Sequence, residues 1–242
     1  MPHGAPDWGV IAPKKTVYIL QDMAELAARL GSIVTFDRRG DVVWLDDFES
    51  GAGHWYAYSG GTDGSTAITT EYSRSKASSF RLNTGSGDEA NAVATAYLPM
   101  AVLSKLGMEV SFTVDSQLGT FDIYFNVATL TAFYLPHLCY DATNDRLRIY
   151  ADGVGWIDLK TSLVLSTAPR LFHTLKVVID PLTGKWVRVI LDGESYDVSA
   201  YSMYSIAGQS AQRIEPEVQV YPTSTIATVV EIDDVIITQN EP

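Results

Sequence analysis

From about residue 46 onward the chain is one short alternating run after another. They read TAITTEYS, SSFRLNTG, NAVATAYLP, GMEVSFTVD, TFDIYFNVAT, AFYLPHLCYD, DRLRIYAD, GWIDLKTS, HTLKVVIDP, WVRVILDGESYDV, EVQVYPTS and TVVEIDDVIIT. β-Branched and aromatic residues dominate these runs, and period-2 alternation sends successive side chains to opposite faces. Gly, Asn, Asp and Pro separate them, and no helical periodicity interrupts the series. TNDR, PLTGK and LDGES have the composition of tight hairpin turns. Strands at this spacing, without crossover helices, specify an all-β fold, an antiparallel two-sheet sandwich or a barrel.

Residues 1–45 read differently. Pro2, Pro6 and Pro13 hold the first fifteen or so residues in an extended arm, with Trp8 as an aromatic anchor within it. ILQDMAELAARLGS follows and predicts one short helix: Asp22 caps it, Glu25 lies three residues on, and Gly31 stops it. Ile19, Met23, Leu26 and Leu30 are spaced four, three and four, a seam of little more than one heptad. A helix this short is marginal alone in water. It either lies on its own sandwich or associates with copies of itself. SIVTFDRRGDVVWLDDF then predicts a hairpin turning at DRRG, with Gly40 suited to positive φ. The expected organisation is an arm, helix and hairpin over 1–45 serving assembly or attachment, then a β-sandwich domain over 46–242.

Composition narrows the partners. The 242 residues carry a formal net charge of −12, which disfavours nucleic acid and anionic membrane because phosphate recruits Lys and Arg. Cys139 stands alone, so no internal disulfide can form, and its setting in LPHLCYD predicts a buried strand thiol rather than a nucleophile. No run of about 18 apolar residues is present to span a bilayer. MPHGAPDWGVIAPKK lacks a basic start followed by an apolar stretch, so synthesis in the cytoplasm without a secretory signal is expected.

Two segments carry resemblances. DDFESGAGHW, SRSKASSFRL and the closing EIDDVIIT resemble a family of jelly-roll carbohydrate-binding modules. Those modules open on an Asn/Asp-Asp-Phe-Glu strand, carry a Gly-x-x-Ser-Leu strand and close on Ile-Asp-Asp-Val. Here Ala77 stands at the usual Gly and Phe80 at the usual Leu. YDATNDRLRIYADGVGWIDL with LFHTLKVVIDPLTGKWVRVILDGESYDVS is similar to laminin-G and concanavalin-like sandwiches, which also occur in phage tail and capsid accessory proteins. Together these cover roughly residues 46–240. They imply an antiparallel two-sheet jelly-roll sandwich and are specific for fold rather than function. An arm, helix and hairpin before a jelly roll resembles the layout of virion proteins.

Three kinds of site follow. For catalysis, concanavalin-like glycosidases place carboxylates on one strand as Glu-x-Asp-x-(x)-Glu, all on one face. EIDDVIIT offers Glu231 and Asp233, but Val235 and Ile236 occupy the place of the third acid. His3, His54, His137 and His173 lie in unrelated contexts, so no catalytic residue and no enzymatic activity is expected. For metal, the jelly-roll resemblance implies a structural Ca2+ where first and last strands meet. Glu49 and Asp234 match its ligands, with Asp47 and Asp233 beside them. The alternative is an acidic strand edge that deters edge-to-edge pairing. For glycan or a partner surface, the aromatic candidates are Trp156, Tyr201 and Tyr204. Tyr56 and Tyr58 are further candidates, whereas Trp55 falls where the family has a core Trp.

The expected function is a non-enzymatic virion component, capsid decoration or tail-associated, on the virion surface. It would assemble through Trp8, Ile19, Met23, Leu26 and Leu30 as a homo-oligomer, for instance a trimer, with other virion proteins. The alternative is a carbohydrate-binding module or a receptor-binding tip recognising cell-surface glycans.

Overall fold

The computed structural model describes residues 39–242 except 101 and 208–210. The expected arm, the helix with its seam residues, Trp8 and the first arm of the hairpin lie outside the described residues, among which no helix occurs.

Among the described residues eighteen strands follow in order. They are β1 (Asp41–Asp46), β2 (Trp55–Ser59), β3 (Ser65–Thr69), β4 (Ser79–Asn83), β5 (Ala92–Ala96), β6 (Leu98–Pro99), β7 (Leu106–Phe112), β8 (Leu118–Ala128) and β9 (Ala132–Tyr134). Then come β10 (His137–Asp141), β11 (Arg146–Ala151), β12 (Gly155–Thr161), β13 (His173–Asp180), β14 (Lys185–Leu191), β15 (Glu194–Asp197), β16 (Ser205–Ala207), β17 (Arg213–Pro222) and β18 (Val229–Gln239). Among the described residues they form two antiparallel sheets. One has eight strands in the order β15-β14-β13-β7-β18-β4-β3, with β1 added on β18. The other has ten, in the order β12-β11-β10-β8-β17-β5-β2, with β6, β9 and β16 at its margin. This is the expected jelly-roll, concanavalin-like sandwich.

Alternation explains the layers. On β8, Phe121, Ile123, Phe125 and Val127 enter the core, and on β7, Met108, Val110 and Phe112 meet them. Phe112 and Phe121 stack across the layers at 4.0 Å. Each such fully buried side chain contributes about 1.5–3 kcal/mol over its exposed state. The expected turns are present. Asp145 (φ +53) turns β10 into β11, Gly184 (φ +68) turns β13 into β14, and Asp192–Gly193 (φ +47 and +89) join β14 to β15. Positive φ at both central residues gives that last turn the twist a two-residue hairpin needs.

The first and last strands lie side by side, with Leu45 opposite Ile236 and Asp46 opposite Val235. β1, which sequence placed ahead of a boundary at 45/46, is thus a member of the eight-stranded sheet. β18 carries a register break between Asp233 and Ile236, where Asp234 takes φ +50. That break ends the simple alternation expected for EIDDVIIT.

Candidate functional site

The acids of the first and last strands converge, but on a loop rather than on one another. Asp233 Oδ2 accepts the amides of Arg74 (2.8 Å) and Ser75 (3.1 Å), and its Oδ1 accepts the amide of Asp234 (2.8 Å). Asp234 accepts Ser75 Oγ at 2.7 Å and lies 3.4 Å from Arg74 Nη1. Glu49 Oε1 accepts the amides of Ala77 (2.9 Å) and Ser78 (2.6 Å), and Asp47 pairs with Lys76. All four expected metal ligands therefore hold residues 74–78. Calcium requires six to eight oxygens free to face it. Here amide N–H groups and two cationic side chains face the carboxylates. No group of three or more His, Cys, Asp or Glu side chains is placed to hold a metal among the described residues. This arrangement does not fit the expected ion. Burial, reinforced by the charge of Asp234, pushes the Asp233 carboxyl up to about 7 against those amide donors. On the same strand Glu231 is also committed, to Arg81 (2.8 Å) and Thr113 (2.7 Å).

The aromatic candidates divide. Tyr201 packs against the core, as does Trp55. Trp156 and Tyr204 are 39% and 43% exposed and flank Tyr150 edge-on at 5.6 and 6.4 Å. They belong to a larger feature, the face of the ten-stranded sheet that points away from the core. Across its strands Tyr56 sits opposite Thr95, Thr95 opposite Glu217, Glu217 opposite Tyr124, and Tyr124 opposite His137. Trp156 meets the His137 ring edge at 4.7 Å and completes the row. The neighbouring row runs Tyr58, Val93, Gln219, Asp122, Cys139 and Arg148. Seven strands at about 4.8 Å spacing make this track about 29 Å long.

Its centre is polar and ordered. Asp122, only 4% exposed, accepts from Thr120 through Oδ2 and lies 2.6 Å from His137 Nε2 through Oδ1. His137 stacks on Tyr124 at 4.0 Å. Burial, with the charge of Asp122, pushes the Tyr124 phenol up, so it stays protonated. Arg148 lies over the Trp156 ring at 4.2 Å and pairs with buried Asp141 at 3.0 Å. Along β17, Tyr221 donates to Gln219 (2.6 Å), and Gln219 and Thr95 (2.7 Å) both donate to Glu217. Two buried polar atoms on this face, Asn126 Oδ1 and Arg148 Nε, have no partner among the described residues. A buried group in that condition costs about 1–3 kcal/mol unless something from outside satisfies it. Cys139 is buried as expected, and burial pushes its thiol up, away from reactivity.

Sequence reasoning set His137 aside as a histidine in an unrelated context and passed over Asp122, Tyr124, Asn126, Arg148, Glu217 and Gln219. The signal lay in TFDIYFNVAT and EPEVQVYP, whose polar and aromatic residues recur at every second position on one face.

No family model matches this chain, and no curated protein matches it. Solved structures share its fold. A sialidase matches with TM-score 0.56 and 11% identity over 84% of this chain, which spans only 19% of that protein. A conserved carbohydrate esterase from Shiga toxin-encoding bacteriophage phi24B matches with TM-score 0.54 and 13% identity, over 84% of this chain and 100% of its own. The carbohydrate recognition domain of Emp47p matches with TM-score 0.50 and 11% identity, over 84% and 98%. The expectation that this chain is not an enzyme does not stand. Proteins named as a sialidase and an esterase carry the same sandwich, so neither the fold nor the missing third acid of β18 excludes chemistry.

Proposed function

We propose that the chain binds carbohydrate along the outer face of its ten-stranded sheet. One observation carries this reading: aromatic faces at both ends of the row, Trp156 and Tyr56, bracket a centre of hydrogen-bonding side chains with unpartnered atoms. Sugar rings offer apolar C–H faces and a rim of hydroxyls. An aromatic platform beside fixed donors and acceptors fits both. The glycan-directed names among proteins of this fold support the same reading. The test is a glycan array followed by calorimetry on the best ligand. Trp156→Ala and Tyr56→Ala are expected to weaken binding about tenfold or more, equivalent to ~1.4 kcal/mol. Binding to no glycan, or binding that both substitutions leave intact, overturns the proposal.

A virion setting is a second reading, favoured by the phage origin of an esterase matched over its whole length. In it, residues 1–45 would join copies of this chain and other virion proteins through Trp8, Ile19, Met23, Leu26 and Leu30. Sedimentation of the full chain tests the self-association. An oligomer that Met23→Glu with Leu26→Glu dissociates supports it, and a monomer overturns it.

A further inference from the structure

We infer that Asp122, His137 and Tyr124 form a proton-transfer centre that hydrolyses an acyl ester on a sugar bound to this face, the sugar part resting on the carbohydrate reading above. The His137 ring is held at one nitrogen only. Nε2 meets Asp122, whose other oxygen is fixed by Thr120. With the carboxylate accepting at Nε2, the imidazole turns Nδ1 toward the face as the nitrogen that can take a proton. Nδ1 has no hydrogen-bond partner among the described residues, and the His137 side chain is 18% exposed. The Tyr124 hydroxyl, on the ring stacked against His137, likewise has no hydrogen-bond partner among the described residues. A free base beside a free phenolic donor, with a buried acid orienting the base, is more than glycan binding requires.

The other groups of the face narrow the reaction. Most glycoside hydrolysis uses two carboxyl groups free to act on the bond. Asp122 is committed at both oxygens, Glu217 accepts from Thr95 and Gln219, Asp141 from Asn144 and two arginines, Glu215 pairs with Arg213, and Asp158 with Arg146. Among the described residues no serine, threonine or cysteine stands ready as nucleophile beside the imidazole, because Thr120 is bonded to Asp122 and Cys139 is buried. Water is then the nucleophile. His137 Nδ1 takes a proton from water as its oxygen bonds to the ester carbonyl carbon. Tyr124 donates a hydrogen bond to the resulting oxyanion. The intermediate collapses, the bond from that carbon to the sugar oxygen breaks, and the sugar oxygen takes the proton back from His137. The products are a free sugar hydroxyl and a carboxylic acid. Asp122 acts through His137 as a positioning residue.

The test uses the full chain with 4-methylumbelliferyl acetate, acetylated xylan and the same xylan after alkaline deacetylation. The expected result is hydrolysis of the simple ester and release of acetate from acetylated xylan. His137→Asn should lower both about 100-fold, the scale of a lost general base. His137→Ala should regain activity with added imidazole, which a merely structural histidine would not allow. Tyr124→Phe removes only the hydroxyl and should lower kcat with KM unchanged; it also covers the case in which a His137 variant fails to fold. Asp122→Asn should likewise lower kcat rather than raise KM. No hydrolysis of either ester while deacetylated xylan still binds overturns this inference and leaves the carbohydrate reading standing. Hydrolysis untouched by His137→Asn also overturns it. Cleavage of the simple ester alone, with no xylan bound, overturns the sugar-ester substrate.

Discussion

The indole Nε1 of Trp55 donates to Asp46 Oδ2 at 3.0 Å, while the other oxygen of that carboxylate accepts the amide of Phe48 at 2.9 Å. Phe48 sits at φ +56, a conformation an aromatic residue enters only when its surroundings hold it there, and its ring packs on Trp55 and Phe80 at 5.9 and 5.4 Å. The acid at the end of the opening strand thus fixes the chain where it enters the core. Asp46→Ala is expected to destabilise the fold by about 1–3 kcal/mol, the cost of leaving buried donors unpaired. Urea unfolding of the two proteins checks this, and an unchanged midpoint would refute it.

The acids around residues 74–78 predict a metal-independent fold. Calcium would have to displace the Arg74, Ser75, Ala77 and Ser78 donors and the Lys76 ammonium from carboxylates that they already satisfy. Calcium and EDTA are both expected to leave the melting temperature unchanged. A rise of several degrees on adding calcium would show instead that this loop opens to expose oxygen ligands.

Sequence patterning reached the architecture because burial on one face of a strand enforces alternation, and alternation survives in TFDIYFNVAT and DRLRIYAD. The jelly-roll resemblance, rather than patterning, placed the opening and closing strands together, as Leu45 opposite Ile236 bears out. Patterning could not reach Asp234 at φ +50, because a register break is set by neighbouring strands and leaves no local pattern. His137 shows the same limit. In sequence it is one histidine in LPHLCYD; its partner Asp122 is fifteen residues away and meets it only because β8 and β10 pair.

The raised carboxyl of Asp233 makes a pH prediction. Its folded value of about 7 exceeds the ordinary 3.8, so between those limits the folded state binds more protons than the unfolded state. This group's contribution therefore favours the fold at low pH and is lost as pH rises from about 4 to 7. Denaturation at pH 5 and pH 8 should show that fall in the natural protein and a smaller one in Asp233→Asn. Parallel curves for the two proteins would refute it.

His173 works in the same direction by another route. Burial alone would lower its pKa, but hydrogen bonds to Asp192 and to the Ser166 carbonyl raise it. The stabilisation is fully present below the ordinary histidine value and disappears as pH climbs through the higher folded one. Following the imidazole by NMR should place its titration above the unfolded value. His173→Gln should flatten the stability profile across that interval, and a titration at or below the ordinary value would sink the assignment.

Glu241 closes the chain onto the eight-stranded sheet. Its buried carboxylate pairs with Lys176 at 2.7 Å and with Arg188, and accepts Thr238 Oγ1 at 2.6 Å. Its approach needs a bare neighbour: a Cβ on Gly107 would meet Thr238 Oγ1 at 2.4 Å and Glu241 Oε1 at 2.8 Å. Removing one partner from a buried charge network costs more than the network contributes, about 3–5 kcal/mol, because the remaining charges stay desolvated. Glu241→Gln should therefore lower the melting temperature strongly, and Gly107→Ala should do so through the same contact. If the two losses share this cause, the double variant will fall short of their sum. Full additivity would mean that Gly107 and Glu241 act independently.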